Sequence, residues 1–131
     1  MPDRLRVAVI GAGVMGQHHI RVYSELPGVD LVAIADTHEA AIAGSSTRGY
    51  QDHRRLLDEE SLDAVSIAVP ARAHHDVAIA CLERGIAVLV EKPIAATASE
   101  AGALREAAER ANVPLMAGHI ERFNPAVREL K

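Results

Sequence analysis

Five short stretches of the chain are almost wholly apolar: Leu5–Ile10, Leu31–Ala35, Ala64–Val69, Ile86–Val90 and Pro114–Ala117. None alternates strictly between polar and apolar. Near-continuous Val, Ile, Leu and Ala is what a strand needs when helices cover both faces of a parallel sheet. A sixth, weaker candidate lies at Arg48–Gln51, where a short edge strand fits. The segments between these runs repeat at helical spacing. Val14–Leu26 is predicted helical and stops at Pro27-Gly28, a pair that ends a helix and turns the chain. Ala71–Arg84 carries Val77, Ala78, Cys81 and Leu82 on one helical face, with Gly85 as its C-terminal cap. Thr97 with Glu100 three residues later has capping-box spacing, and that helix runs through Ala101, Leu104, Ala108 and Ala111 to Asn112. Alternating strand and helix implies a doubly wound α/β sheet with right-handed crossovers and strand order 3-2-1-4-5-6.

Length adds a constraint. Six strands of about 5 residues, five helices of about 11 and ten loops of about 4 fill roughly 130 residues, and the chain has 131. One domain, residues 1–123, therefore uses nearly everything, and residues 124–131 are predicted to begin a further helix, with Asn124 as its N-cap and Pro125 in its first turn.

The formal charge of −4 argues against an electrostatic grip on nucleic acid or on an anionic membrane. Three aromatic residues, Tyr23, Tyr50 and Phe123, make no stacking platform for single strands. A single cysteine, Cys81, excludes an internal disulfide framework and a cysteine zinc cage, and reads as a small buried hydrophobe. Arg4 and Arg6 ahead of Val7–Gly16 imitate a secretory leader. That stretch is punctuated by glycine, however, and meets Gln17-His18-His19 without a small-x-small cleavage site. No apolar run approaches the roughly 20 residues of a membrane span. A cytoplasmic location is expected. The seven histidines do not read as metal ligands. His18-His19 and His74-His75 are neighbours that point about 100° apart on a helix, and His38 and His53 fall in expected surface segments. Asp52–Glu60 reads as a charged, solvated stretch.

Chemistry concentrates at strand ends. Gly11-Ala12-Gly13-Val14-Met15-Gly16 is a G-x-G-x-x-G between the first strand and first helix. Gly11 permits the tight turn, Gly13 the approach of a pyrophosphate, and Gly16 close helix–strand packing. The N–H groups at the helix start, around Val14 and Met15, face the phosphates. Asp36 ends the second strand 20 residues after Gly16, where an acid accepts hydrogen bonds from ribose hydroxyls. An N-cap role for the segment from Thr37 is compatible with this. No arginine follows to meet a 2′-phosphate, so NAD is favoured over NADP. Val69-Pro70-Ala71-Arg72-Ala73-His74 and Glu91-Lys92-Pro93 stand at the carboxyl ends of the fourth and fifth strands, where open α/β sheets bind ligands. Lys92 is either an acid–base group beside a substrate hydroxyl or a charged residue that merely ends a strand.

Taken in order, the glycine motif, Asp36, Pro70 with His74, Gly85, Glu91-Lys92-Pro93 and Gly118-His119-Ile120-Glu121-Arg122-Phe123-Asn124-Pro125 resemble the N-terminal Rossmann domain of the Gfo/Idh/MocA oxidoreductases. The resemblance runs from about Arg4 to the end of the chain, and Glu-Lys-Pro is its most specific element. It implies hydride transfer between NAD(P) and a sugar, cyclitol or nucleotide-sugar, the last motif looking most like the UDP-N-acetylglucosamine 3-dehydrogenase branch. It further implies that Gly11, Gly13 and Gly16 line the pyrophosphate and Asp36 the ribose. Pro70 and His74 then line the cofactor crevice, Glu91 lies near the nicotinamide, and Lys92 is the active-site lysine. Val69 departs from the Thr or Asn common before the proline and removes one polar contact. The family's second domain, with most of the substrate pocket and an Asp/His pair, has no counterpart in this chain. The chain is therefore expected to be a fragment, inactive alone, and to self-associate through apolar surface around Phe123, Val127 and Leu130. A non-catalytic nucleotide-binding or oligomerisation module is the alternative from another class. A methyltransferase is weaker still, since it gains nothing from Glu-Lys-Pro.

Overall fold

The computed structural model describes residues 4–118. Six parallel strands form one sheet in the order β3-β2-β1-β4-β5-β6. They are β1 (Leu5–Ile10), β2 (Val29–Ala35), β3 (Arg48–Tyr50), β4 (Ala64–Ile67), β5 (Ala87–Glu91) and β6 (Leu115–Gly118). The helices are α1 (Val14–Glu25), α2 (Glu39–Ile42), α3 (His53–Glu59), α4 (His74–Leu82) and α5 (Ala98–Ala111). The doubly wound fold, its strand order and the short edge strand agree with the apolar pattern. The helix expected from residue 124, the motif beyond Gly118 and the apolar patch around Phe123 lie outside the described residues.

Chain order leaves β1 toward β2 on one side and resumes at β4 on the other, so right-handed crossovers put the helices before and after that reversal on opposite faces. Helix α1 packs on β1, β2 and β4, while α3, α4 and α5 pack side by side over the other face. The period-two alternation of the strands follows. Ala8, Ile10, Val65, Ile67, Val88 and Val90 join Leu56, Val77, Ala78, Cys81, Leu82 and Leu104 in the main core. Val9, Ile34 and Ser66 are equally buried but lie outside that cluster, consistent with the α1 face. Burial pushes the Cys81 thiol up to about 12, so it packs as an inert hydrophobe.

Two expectations change. Asp52–Glu60 is not simply solvated: Asp52 caps α3 by accepting from the Arg54 N–H at 2.9 Å, and Leu56 and Leu57 are buried. A seven-residue helix needs only one such apolar pair to anchor it, and the flanking charges hide that pair in the sequence. Ala71–Arg84 is not one helix either. The Ala73 N–H donates to the Pro70 carbonyl at 2.8 Å, an i→i+3 bond that closes a single 3₁₀ turn before α4 begins at His74. At α5 the Thr97 hydroxyl accepts from the Glu100 N–H at 3.1 Å, and the Glu100 carboxylate reaches back to the Ala96 N–H at 3.2 Å. No described helix is long and apolar enough to cross a membrane.

Candidate functional site

The sheet's direction of winding reverses between β1 and β4, which opens a crevice at their carboxyl ends. It measures about 660 Å³ and is lined by Gly11, Gly13, Met15, Asp36, Pro70 and Arg72, among others. Gly11 sits at φ +100 and donates its N–H to the Ala35 carbonyl at 2.7 Å. A Cβ on Gly16 would stand 1.7 Å from the Gly11 carbonyl oxygen, so α1 touches the turn backbone to backbone. Gly13 differs from both. A Cβ there would meet nothing within 4 Å, so the fold does not require this glycine. Gly13 is the N-cap of α1; no side chain caps it, and the first turn holds no acid. The helix therefore presents its first N–H groups and positive end to the crevice. Met15 lines the crevice, and Val14 beside it is 80% exposed.

Asp36 ties two turns together. One carboxylate oxygen accepts from the Ala12 N–H at 2.8 Å, the other from the His38 N–H at 2.8 Å. Burial alone would raise the Asp36 pKa, but the amide bonds from His38 and Ala12, with the His38 ring beside it, outweigh burial and hold it below the ordinary carboxylate value. A carboxylate oxygen carries two lone pairs, so acceptor capacity remains for hydroxyls in the crevice. The His38 residue, not Asp36, occupies the N-cap of α2. Because the folded value is depressed, this contribution to stability is complete above the unfolded value of about 3.9 and is lost as pH falls through the folded one. Denaturant melts from pH 6 down to pH 2 should therefore show a loss of stability below about pH 4 that is smaller in Asp36→Asn.

Further side chains reach the crevice from outside the glycine turn. Arg72 lines it from the 3₁₀ turn, and His53 from the start of α3. His53 is half-buried rather than on the surface, and burial pushes its pKa below the ordinary histidine value. Pro70 lines the crevice. His74 does not: it is 1% exposed and stands behind the crevice wall. Its Nε2 lies 2.8 Å from the Val69 carbonyl oxygen and its Nδ1 2.6 Å from that of Pro93. Inward-facing apolar positions of α4 carry the ring under the sheet's edge, where a buried imidazole must find polar partners.

Lys92 is exposed at the carboxyl end of β5. Glu91 turns the other way, toward α1, and its Oε2 lies 2.6 Å from His19 Nε2. The His19 Nδ1 is 3.1 Å from the hydroxyl of fully buried Ser66, which also bonds the Tyr23 hydroxyl. The His19 side chain is only 14% exposed and both its nitrogens are partnered, so it packs between α1 and the sheet rather than facing solvent. The usable signal was helical spacing. Gly16, His19, Ile20 and Tyr23 fall at i, i+3, i+4 and i+7, the side of α1 that Gly16 presses onto the sheet. Among the described residues, no three His, Cys, Asp or Glu side chains converge as a metal site.

A family model described as an oxidoreductase family with an NAD-binding Rossmann fold matches residues 5–119. The chain belongs to the Gfo/Idh/MocA family. Among Gfo/Idh/MocA relatives, it is 35% identical over 131 residues to the rhizopine catabolism protein MocA of Rhizobium meliloti, covering 98% of this chain and 41% of that protein. It is 36% identical over 134 residues to inositol 2-dehydrogenase 4 of Saccharopolyspora erythraea, covering 97% of this chain and 40% of the relative. The WlbA dehydrogenase of Bordetella pertussis, solved in complex with NADH and UDP-GlcNAcA, superposes with a TM-score of 0.91 at 26% identity, covering 98% of this chain and 41% of that one. The chain thus spans about two-fifths of the length of the relatives it matches.

Proposed function

We propose that this chain is the cofactor-binding part of a dehydrogenase that moves hydride between NAD and a hydroxyl or ketone of a sugar, cyclitol or nucleotide-sugar. The observation that carries the reading is Gly13: a glycine whose missing side chain leaves open space in the crevice, beside an uncapped helix N-terminus. Packing explains Gly16 and φ explains Gly11. A pyrophosphate backed against the turn would use the space left at Gly13.

The cofactor's pyrophosphate would lie against Gly11, Gly13 and the N–H groups of Val14 and Met15, and its adenosine ribose against Asp36. The Asp36 carboxylate, ionised at neutral pH, repels a 2′-phosphate, which supports NAD over NADP. Pro70 forms the far wall. When bound, the nicotinamide supplies the hydride acceptor or donor. Lys92 orients the reacting hydroxyl and exchanges its proton. Glu91 serves this site through the strand end rather than by direct contact, since its carboxylate faces His19. Relatives named for inositol and a neighbour bound to UDP-GlcNAcA support a polyhydroxylated substrate of the cyclitol or nucleotide-sugar kind. The chain alone is proposed to bind NADH without turnover, because residues on the other side of the nicotinamide are left to the remaining length of its relatives, and to self-associate.

NADH fluorescence titration tests this. Gly13→Ala should weaken binding about 10-fold or more, roughly 1.4 kcal/mol, while leaving the melting temperature nearly unchanged. Asp36→Ala should weaken it by about 1–3 kcal/mol, and NADP(H) should bind less tightly than NAD(H). A Gly13→Ala protein that binds NADH as the parent does would refute the reading.

A further inference from the structure

The crevice is lined differently on its two sides. Near Asp36 the lining side chains are polar: Thr37 and His38 follow β2, and Gln51 and His53 follow β3. The side after β4 is apolar. Ala68, Val69, Pro70, Ala73 and Val77 line it, and Arg72 is the one polar side chain among them.

The fold makes no use of that arginine's charge. Arg4, Arg6, Arg48, Arg55 and Arg84 are each paired with a carboxylate. Arg72 is exposed and makes no hydrogen bond or ion pair with any described residue, while the 3₁₀ turn of Ala71–Ala73 keeps its backbone at the crevice mouth. Asp36, the other permanently charged lining residue, directs its carboxylate to the Ala12 and His38 amides instead. The guanidinium is therefore available to a ligand.

A dinucleotide brings two groups to this end of the crevice, its base and, where it carries one, a 2′-phosphate. The Asp36 carboxylate repels the second. The base fits what is there, because its faces are apolar and rich in π electrons. No described aromatic ring lines the crevice to receive it: the Tyr23 hydroxyl is bonded to Ser66 beneath α1, and the Tyr50 hydroxyl to Glu60 beside the edge strand. A guanidinium is planar, weakly hydrated and stacks on aromatic faces, which a lone cation on an apolar wall is suited to do.

We propose that Arg72 is a specificity-determining residue for the cofactor, its guanidinium stacking on the adenine ring where that ring lies along the apolar wall after β4. The inference rests on the reading of the crevice as a dinucleotide site, and adds to it a side chain that recognises the base rather than the phosphates or the ribose. A stacked cation reads the size of a π face and not its hydrogen-bonding edge. It therefore separates purine from pyrimidine more than one purine from another.

The test compares NADH with reduced nicotinamide cytosine dinucleotide, which keeps both riboses, the pyrophosphate and the fluorescent nicotinamide and exchanges the purine for a smaller ring. Titrated against this chain, Arg72→Ala should weaken NADH binding about 5-fold and the cytosine dinucleotide by less than about 2-fold. The parent's preference for the purine narrows accordingly. Arg72→Lys, which keeps the charge and loses the plane, should recover only part of the loss. All three proteins should share one melting temperature, since Arg72 has no partner in the fold to lose. Equal losses for both dinucleotides, or full recovery in Arg72→Lys, would make Arg72 a phosphate contact. A loss many times larger for NADPH than for NADH would make it a 2′-phosphate contact, and NADH binding unchanged in Arg72→Ala would leave it without a role. Each of these results overturns the proposal and leaves the dinucleotide site standing. A parent that binds neither dinucleotide would refute both.

Discussion

Gly16→Ala is expected to destabilise the chain by about 3 kcal/mol or more, at the upper end for overpacking in a rigid site. The new methyl would lie 1.7 Å from the Gly11 carbonyl oxygen and 2.7 Å from its carbon. Both atoms are backbone, so no rotamer change relieves the contact. The helix must lift from β1, and doing so pulls His19 and Tyr23 away from Ser66. A drop in melting temperature of roughly 10 °C should accompany the change, measured by circular dichroism beside Gly13→Ala, which should melt with the parent. Equal melting of all three proteins would show that α1 does not sit on the turn as described.

The largest effect on chemistry belongs to Lys92. In an active form that unites this chain with the remaining length of its relatives, Lys92→Ala should lower kcat by about 10²–10⁴, the range for a positioned acid–base group. NADH affinity should change little, because the pyrophosphate and ribose contacts come from β1, α1 and the end of β2. A loss confined to kcat, with KM for cofactor preserved, is the pattern of an interaction made in the transition state. Arginine cannot replace lysine here, since its guanidinium stays protonated; Lys92→Arg should be nearly as inactive as Lys92→Ala. Turnover retained in either variant would return Lys92 to a charged strand end.

The parts of this molecule that depend on neighbours in sequence were readable from sequence. Strands buried on both faces announce themselves as continuous apolar runs. The turn glycines and Thr97 with Glu100 do their work within a few residues of their own position, and Asp36 does so only in part, through the His38 N–H. The missed features depend on which strands become neighbours. Glu91 meets His19 across 72 positions because β4 and β5 line up beside β1, and Ser66 falls beneath them by strand alternation. The family resemblance puts His74 in the crevice with Pro70, yet the 3₁₀ turn between them precedes a helix that carries the His74 ring inward. His53 reaches the crevice from the start of α3, a convergence with the glycine turn that no local pattern encodes.

Asp36 has a consequence for how this scaffold can change its preference among ligands. The carboxylate that would read a ribose also accepts from Ala12 inside the glycine turn and from His38 at the start of α2. Admitting a 2′-phosphate asks for the acid to be removed, and removal strands two N–H groups at the junction of β1 and β2. Selectivity and local order are therefore one variable at this position. A replacement such as serine or asparagine keeps one acceptor for the Ala12 N–H while dropping the charge. Alanine or glycine drops both, and would need a new acceptor elsewhere before a changed preference could become a stable protein.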